Sequence, residues 1–337
     1  MLILANYAYH RPADLNEAVR LLQEEGSLVI AGGSDVLPQL KNAVIEPKAL
    51  VDLGKIPELK LVTETEAGVR IGAMAVLSSL AEDPVIRRCV PAIGKAARNT
   101  ASPQIRNRGT IGGNLLQARR CFYYNQTEQW REGIPRCFKV GGEECLQIPK
   151  SPFCRAIYYS DLAPVMLAYG ASAEVLIAEE AGKGVGTGGI RFTERTISCK
   201  ELLSLHTSDR LPKLLVRAFV IPKENYEGTR ASFAKYSLRG SIDFPMINFA
   251  CITGNGKVRL TAGAIAPQVL ELSDTEAYLE KAGSGFDVDM AVEIAVAEMK
   301  AKCQLIRESG ISTTVKRAAF SFVRETLKAL KEMMRNN

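Results

Sequence analysis

Apolar residues recur at helical spacing soon after the start of the chain, and a short apolar run follows them. The helical positions are Leu15, Ala18, Val19 and Leu22. Asp14 with Glu17 three residues later matches a capping box, so we expect the helix to begin there. The apolar run over residues 28–31 predicts a buried strand that ends at a pair of glycines.

The same two patterns predict the elements that follow. The predicted strands cover residues 49–53, 69–71, 172–178 and 213–222, and the predicted helices cover residues 84–98 and 161–169. A polar, glycine-rich loop is expected over residues 102–114, and a hinge or hairpin loop over residues 182–189.

The pattern changes beyond Asn225, where we place a domain boundary. Three strand-like segments predict a meander, and two amphipathic helices follow it. These five segments cover residues 232–238, 246–253, 257–264, 287–308 and 312–334. The chain is therefore predicted to be α+β, with a domain over residues 1–225 (subdomains 1–55 and 56–225) and a smaller α/β domain over residues 226–337.

Composition narrows the function classes. The chain has 337 residues, 47% hydrophobic and 24% charged, which is ordinary for a globular protein of two or three domains. The 43 basic and 37 acidic side chains give a net charge of +6, and the chain has a single Trp. Neither the charge nor the few aromatic residues indicate nucleic-acid binding.

Targeting and membrane signals are missing from the pattern. No apolar run approaches the roughly 20 residues of a spanning helix, and the first residues do not match a signal peptide. We expect no membrane contact, a cytoplasmic location and reduced cysteines. With His10 and His206 as the two histidines, catalysis by histidine is nearly excluded.

Three glycine patterns are candidates for phosphate binding. Gly184, Gly186 and Gly189 formally match the dinucleotide fingerprint, but the next residues favour a strand instead of the helix that such a site needs. The stretches AGGSD (residues 31–35) and SPQIRNRGTIGGN (residues 102–114) are better candidates, because each follows a regular element. One such stretch alone is typical of a tight turn; two together indicate a bound polyanion such as a dinucleotide pyrophosphate.

The segments AGGSDVLPQLKN, SPQIRNRGTIGGNLLQA and SDLAPVMLAYGA resemble the FAD-binding medium subunits of the molybdenum hydroxylases, the xanthine dehydrogenase and carbon monoxide dehydrogenase family. YHRPADLNEAVRLL, LVDLGKIPELK and FAKYSLRGSIDFPMINFA resemble it too, so the resemblance covers nearly the whole chain. It implies a vanillyl-alcohol-oxidase-type (PCMH-like) FAD-binding domain of two subdomains, followed by a C-terminal domain of the CO dehydrogenase flavoprotein type.

The resemblance also implies site residues. Asp161 would bond the sugar end of the FAD, and Lys235 would lie beside the isoalloxazine, although a solvated strand edge is the alternative for Lys235 and Arg239. No histidine is placed for a covalent link, so the FAD is expected to be noncovalent. The residues implied around the diphosphate and flavin are Ile30, Ala31, Gly32, Gly33, Ser34, Asp35, Ala101, Ser102, Gly109, Thr110, Ile111, Gly112, Gly113 and Asn114.

An insertion of about forty residues sets this chain apart from most of that family. Within residues 119–157, which we call the cysteine window, four of the eight cysteines fall in the pattern C-x15-C-x7-C-x8-C. They are Cys121, Cys137, Cys145 and Cys154. The window resembles the β subunit of 4-hydroxybenzoyl-CoA reductase, whose extra loop holds a 4Fe–4S cluster, and this implies the same cluster here. Structural zinc and four unrelated thiols are the alternatives; the absence of paired CxxC turns disfavours zinc.

The resemblance implies a function and partners. The chain would be the electron-transfer subunit beside a large molybdopterin subunit and a small 2Fe–2S subunit, in a dimer of heterotrimers. The reaction would be reductive dehydroxylation of 4-hydroxybenzoyl-CoA to benzoyl-CoA with ferredoxin as donor. The alternatives are another molybdenum hydroxylase that oxidises an aromatic or heterocyclic substrate, and a standalone flavin oxidoreductase or zinc protein. The arginines of the window are expected either to attract an acidic ferredoxin or to be simple surface charge: Arg119, Arg120, Arg131 and Arg136.

Overall fold

A computed structural model describes residues 6–180, 190–240, 242–303, 306 and 313–335. The predicted loop over residues 182–189, with its three-glycine pattern, lies outside these residues. The segment that follows is a strand, as predicted, and not the helix that a dinucleotide fingerprint requires.

The N-terminal subdomain is a small parallel sheet with two helices. Strand order is β1–β3–β2, and the helix after β1 buries the apolar face predicted from the sequence. The capping box is formed as predicted, since Asp14 accepts from the Glu17 N–H at 2.9 Å while Glu17 accepts from the Ala13 N–H at 2.8 Å. The elements are β1 (Ala8–His10), α1 (Leu15–Gln23), β2 (Ser27–Ile30), α2 (Val36–Lys41) and β3 (Ala49–Asp52).

A five-stranded antiparallel sheet in the order β4–β5–β8–β6–β7 forms the second subdomain. Its strands are β4 (Val62–Thr65), β5 (Gly68–Gly72), β6 (Ser172–Glu180), β7 (Ile190–Ser198) and β8 (Leu214–Pro222). The residues between β5 and β6, together with the segment after β7, supply eight helices. They are α3 (Leu77–Glu82), α4 (Pro84–Cys89), α5 (Pro91–Asn99), α6 (Pro103–Arg106), α7 (Ile111–Leu115), α8 (Glu128–Glu132), α9 (Leu162–Ala168) and α10 (Cys199–Thr207).

Two predictions for this subdomain are wrong in detail. The single helix predicted over residues 84–98 is divided into α4 and α5, because Pro91 has no N–H to continue the helical ladder and instead begins α5. The predicted loop over residues 102–114 contains the short helices α6 and α7, each begun by a hydroxyl cap.

The C-terminal part contains the predicted meander, an antiparallel sheet in the order β12–β11–β10–β9. Four helices cover it, and the first of them was not predicted. The elements are β9 (Thr229–Tyr236), β10 (Ile247–Gly254), β11 (Lys257–Gly263), β12 (Leu270–Glu271), α11 (Ser273–Ala282), α12 (Val288–Lys302), α13 (Thr313–Ala318) and α14 (Phe322–Arg335).

The main core joins the two larger sheets. Phe233, Ala250 and Ile252 of the meander share one apolar cluster with the five-stranded sheet and α5. A second cluster lies between the other face of the meander and α11–α14. The mixture of helices and sheets confirms the predicted α+β class. Within the described part of the chain, no helix is long and apolar enough to cross a membrane.

Candidate functional site

The two glycine stretches meet in the structure, and we call them together the glycine cradle (residues 31–35 and 109–114). The first follows β2, and its Gly32 lies so close to the second that a Cβ there would overlap the Arg108 carbonyl oxygen. Gly33 has a φ of 77°, which glycine adopts without strain. The sequence therefore identified two segments, residues 31–35 and 102–114, that the fold places in contact although 67 positions separate Asp35 from Ser102.

Short helices shape the second stretch. The Ser102 hydroxyl accepts from the Ile105 N–H at 3.3 Å and caps α6, while the Thr110 hydroxyl accepts from the Gly113 N–H at 3.0 Å and caps α7. Ala101 has a φ of 46°, and the Arg106 guanidinium donates to its carbonyl at 2.8 Å. Arg106 thus holds the turn that carries two of the predicted site residues.

Not every predicted cradle residue offers its side chain to a ligand. The side chain of Ile111 is fully buried in the core, so only backbone atoms remain available at that position. Gly112 is packed against the Ala73 carbonyl, whereas a Cβ at Gly113 would meet nothing within 4 Å except the Thr110 hydroxyl oxygen. Gly113 is therefore the cradle position where added volume would extend into open space.

Asn114 joins the cradle to the segment that contains Asp161. Its Oδ1 accepts from the Ser160 hydroxyl at 2.6 Å and from the Leu162 N–H at 3.3 Å. The first turn of α9 is thereby fixed against α7. Sequence reasoning missed Ser160, whose only signal was its position next to Asp161.

Asp161 and Lys235 form a buried ion pair with 2.8 Å between Oδ2 and Nζ; their side chains are 4% and 7% exposed. Lys235 also donates to the Asn99 carbonyl at 2.9 Å, and Asp161 accepts from the Asn248 amide at 2.9 Å. Burial raises the pKa of the Asp161 carboxyl, and the neighbouring ammonium and amide oppose that rise.

This ion pair corrects one expectation. Lys235 lies on the edge strand β9, but its side chain is buried, so the solvated-edge alternative is wrong for it. Arg239 lies beyond the end of β9, is exposed and is paired with Asp243. The roles predicted for Asp161 and Lys235 toward the FAD stay predictions.

The four cysteines of the window line one small space, which we call the cysteine recess. It has a volume of about 300 Å³, part of which is open to solvent. Cys145 is buried and the other three are partly exposed. Arg120 and Ile157 form an isolated antiparallel β-bridge, so the two ends of the window are held together.

The cysteine window is fastened to the glycine cradle through Asp35. Its carboxylate accepts from the Ala118 N–H at 3.1 Å and forms an ion pair with Arg120, whose guanidinium also donates to the Asp35 carbonyl at 2.7 Å. The predicted place of Asp35 around the FAD diphosphate stays a prediction, which we expect to involve its backbone and not its carboxylate. Two anionic groups would repel each other there, and the carboxylate already has protein partners.

Backbone N–H groups point at two of the thiols. Burial raises the pKa of Cys121, while N–H donors from Tyr124 and Tyr123 act against that rise. Burial likewise raises the pKa of Cys154, against which the Ala156 N–H acts. These donors favour sulfur in its thiolate form, which is the form that binds metal.

The arginines of the window serve inside the molecule. Arg119 is 4% exposed and pairs with Asp209, Arg120 pairs with Asp35, and Arg131 donates to the carbonyls of Asn42 and Ala43. Arg136 is the exposed member of the predicted four. The alternative of simple surface charge is therefore wrong for the buried Arg119, and attraction of an acidic ferredoxin by these arginines stays a prediction.

Within the described residues, no three His, Cys, Asp or Glu side chains are grouped so that they would hold one metal ion. A tetrahedral zinc site with Zn–S bonds of 2.3 Å brings its sulfurs to about 3.8 Å from one another. The four thiols line the cysteine recess, but within the described residues they are not grouped as a tetrahedral zinc site requires.

Comparison with known proteins identifies the family. A model described as FAD binding domain in molybdopterin dehydrogenase matches residues 5–185. The chain is 40% identical to the carbon monoxide dehydrogenase medium chain of Hydrogenophaga pseudoflava over 116 residues, which are 34% of this chain and only 40% of that one. It is 29% identical to the aldehyde oxidoreductase FAD-binding subunit of Escherichia coli over 279 residues, covering 80% of this chain and 85% of that one.

Solved structures agree on the fold. Carbon monoxide dehydrogenase from Hydrogenophaga pseudoflava lacking the Mo-pyranopterin moiety matches with a TM-score of 0.71 and 24% identity, over 97% of this chain and 98% of that one. Quinoline 2-oxidoreductase from Pseudomonas putida 86 matches with a TM-score of 0.69 and 20% identity, over 98% and 99%. These likenesses confirm the predicted two-part flavoprotein fold. The chain belongs to the family of FAD-binding domains of molybdopterin dehydrogenases.

Proposed function

We propose that the chain is the electron-transfer subunit of a molybdenum-containing oxidoreductase and holds one noncovalent FAD and one 4Fe–4S cluster. The observation that carries this proposal is the attachment of the cysteine recess to the glycine cradle through Asp35. A domain of this family binds FAD, and four thiols next to the FAD site supply a second redox group.

The glycine cradle fits the diphosphate of FAD. Its first loop lets backbone approach closely at Gly32 and Gly33, and its second leaves open space at Gly113. The buried Asp161–Lys235 pair would contact one part of the cofactor, where the Lys235 ammonium can offset negative charge on the reduced flavin. A Gly113→Glu variant tests the placement, because a carboxylate there would meet the diphosphate. The variant should lose its flavin; if it keeps the flavin, the placement is wrong.

The residues of the cysteine recess fit a 4Fe–4S cluster better than the alternatives. Four thiols are the ligand set of such a cluster, and N–H donors already point at Cys121 and Cys154. The four thiols are not grouped as tetrahedral zinc requires within the described residues. Four unrelated thiols would not be expected to line one space beside the buried cation Arg119 and the partly exposed cation Lys139.

The two cofactor sites lie on one short path. Cys121 follows Asn114 by seven residues, Cys154 precedes Asp161 by seven, and Asn114 is hydrogen-bonded beside Asp161. Seven extended residues span at most about 25 Å. When bound, the cluster would exchange single electrons and the FAD one or two, so the subunit would connect a one-electron carrier to a partner active site.

The substrate reaction would belong to a partner chain, because the matched family is described as the FAD-binding domain of a molybdopterin dehydrogenase. We infer a large molybdopterin subunit and a small 2Fe–2S subunit, doubled into a dimer of heterotrimers. The proposed reaction is that of 4-hydroxybenzoyl-CoA reductase: the substrate takes two electrons and two protons, the phenolic C–O bond breaks, and benzoyl-CoA and water are released. Reduced ferredoxin would supply the electrons.

A second candidate is the FAD subunit of another molybdenum hydroxylase. The names of the relatives favour it, because they include carbon monoxide, nicotine and xanthine enzymes. In that case electrons would leave the substrate and pass out through the FAD. A cytoplasmic location suits both candidates, since the thiols have to stay reduced to bind iron.

Metal and flavin analysis of the anaerobically purified protein tests this proposal. We expect about four irons and four inorganic sulfides per chain, one extractable FAD, and partner subunits that co-purify from native cells. Zinc in place of iron would overturn the cluster assignment. A fully active chain without partners would overturn the assembly.

A further inference from the structure

Two cationic side chains lie against the cysteine recess, Arg119 buried and Lys139 partly exposed. Arg119 is 4% exposed and donates to the Cys154 carbonyl at 3.2 Å. Lys139 lines the recess, donates to the Arg119 carbonyl at 2.9 Å and lies 4.8 Å from the centroid of the Tyr124 ring. Lys139 therefore belongs to the wall that surrounds the four thiols, and Arg119 contacts that wall at Cys154.

The positive charges of Arg119 and Lys139 are only partly balanced by carboxylates of the protein. The Arg119 guanidinium pairs with Asp209 at 2.8 Å, but that carboxylate is on an exposed side chain, 54% accessible. The Nε atom of Arg119 is buried without a hydrogen-bond partner. Within the described part of the chain, Lys139 has no ion pair. Buried charge without a counter-charge is unfavourable, so the recess is arranged for an anionic occupant.

We propose that Arg119 and Lys139 set the reduction potential of the group held by the four cysteines, and that Asp209 works against them. This inference rests on the proposed 4Fe–4S cluster. Four thiolates outweigh the charge of the cluster core, and an added electron makes the whole more negative. Nearby cations stabilise the reduced form and raise the potential, whereas a nearby carboxylate lowers it.

The two kinds of group differ in expected strength. Lys139 is on the wall of the recess, where the dielectric is low and screening is weak. Asp209 is half exposed, so water and salt screen its charge. Removal of the Lys139 charge should therefore shift the potential more than removal of the Asp209 charge, and in the opposite direction.

The test is a redox titration of the cluster by EPR in the protein as purified anaerobically with its accompanying subunits. Lys139→Met should lower the equilibrium constant for one-electron reduction at least tenfold, a shift of about 59 mV to more negative potential. Lys139→Arg, which keeps the charge, should restore most of the original potential. Asp209→Asn should shift the potential in the positive direction, and its backbone is undisturbed because Asn readily adopts the φ of 57° found there.

Iron content separates this inference from the proposal beneath it. Absence of iron from the unsubstituted protein would overturn the cluster itself. Four irons with an unchanged potential in Lys139→Met, or shifts of the same sign in Lys139→Met and Asp209→Asn, would overturn the inference alone. If Lys139→Met loses its iron, Asp209→Asn decides: an unmoved potential in that surface variant contradicts the inference.

Discussion

The glycine cradle and the cysteine recess are neighbours, but they are stabilised differently. The cradle is built from backbone: its two loops meet at Gly32, Gly112 packs against Ala73, and hydroxyls cap the one-turn helices. The recess is built from side chains, with ion pairs and cations around four thiols and little regular structure. A backbone site is sensitive to volume, whereas a side-chain site is sensitive to charge and ligand chemistry.

This contrast separates the two cofactors experimentally. Changes that add volume to the cradle should remove FAD, and changes to a thiol should remove iron while leaving the FAD bound. Asp35 is the junction, because it belongs to the cradle and is held by the start of the cysteine window.

The largest effect is expected at Gly32. An alanine there would overlap the Arg108 carbonyl oxygen, which is backbone and cannot rotate away. We expect Gly32→Ala to bind less than a tenth of the FAD of the unsubstituted protein, measured as the ratio of flavin to protein absorbance. Gly285→Ala is the matched control, since a Cβ there meets nothing within 4 Å. Normal flavin content in Gly32→Ala would contradict the contact between the two stretches.

A smaller effect, a loss of unfolding free energy, is expected from Lys235→Met, because this change leaves the buried Asp161 carboxylate without its ammonium partner. Breaking one side of a buried ion pair costs about 3–5 kcal/mol of unfolding free energy. Arg239→Met is the control on the same strand end; its exposed pair with Asp243 should leave the unfolding free energy nearly unchanged. Equal losses in the two variants would show that the Asp161–Lys235 pair is not buried.

The stability lost in Lys235→Met should increase as the pH rises. Burial already raises the pKa of Asp161, and removal of the ammonium raises it further. Folding of the variant then takes up a proton once the pH exceeds the unfolded value of about 3.9, so its stability falls as pH rises. Thermal unfolding should show a small difference from the unsubstituted protein near pH 4 and a larger one at pH 7. A difference that shrinks over that interval would contradict the assignment.

The smallest effect is expected at the cap of α7. Thr110→Val removes the hydroxyl that accepts from the Gly113 N–H and should cost about 1 kcal/mol, with weaker FAD binding. Thr110→Ser keeps the hydroxyl and should retain both. Chemical denaturation and FAD titration measure the two quantities. If Thr110→Val and Thr110→Ser had the same unfolding free energy and the same FAD affinity, the cap would not support the cradle.

Local pattern was enough to predict much of the fold. The capping box at Asp14, the strand before Gly32 and the meander after Asn225 are all encoded within a few neighbouring residues. The short helices α6 and α7 were missed because segments of four and five residues show no period. Helix α11 was missed as well, and it begins without a side-chain cap.

The sequence predicted which residues belong to the candidate site, but not which of them form ion pairs. Sequence spacing identified the glycine stretches and the four cysteines. It gave no sign that Lys235 would pair with Asp161 from 74 positions away, or that the buried Arg119 would pair with Asp209. Such pairs depend on the tertiary packing of separate elements, which single-sequence periodicity does not contain.

The central claim, two cofactors in two adjoining sites, is tested most directly by Cys137→Ala. Cys137 is partly exposed, so the change should disturb packing little, and Cys89→Ala, another partly exposed cysteine outside the window, is the control. After anaerobic purification, Cys137→Ala should lose its iron and the broad visible absorbance that dithionite bleaches, while it keeps one FAD. Cys89→Ala should keep both. A Cys137→Ala protein that still holds about four irons and accepts ferredoxin electrons at the normal rate would contradict the account.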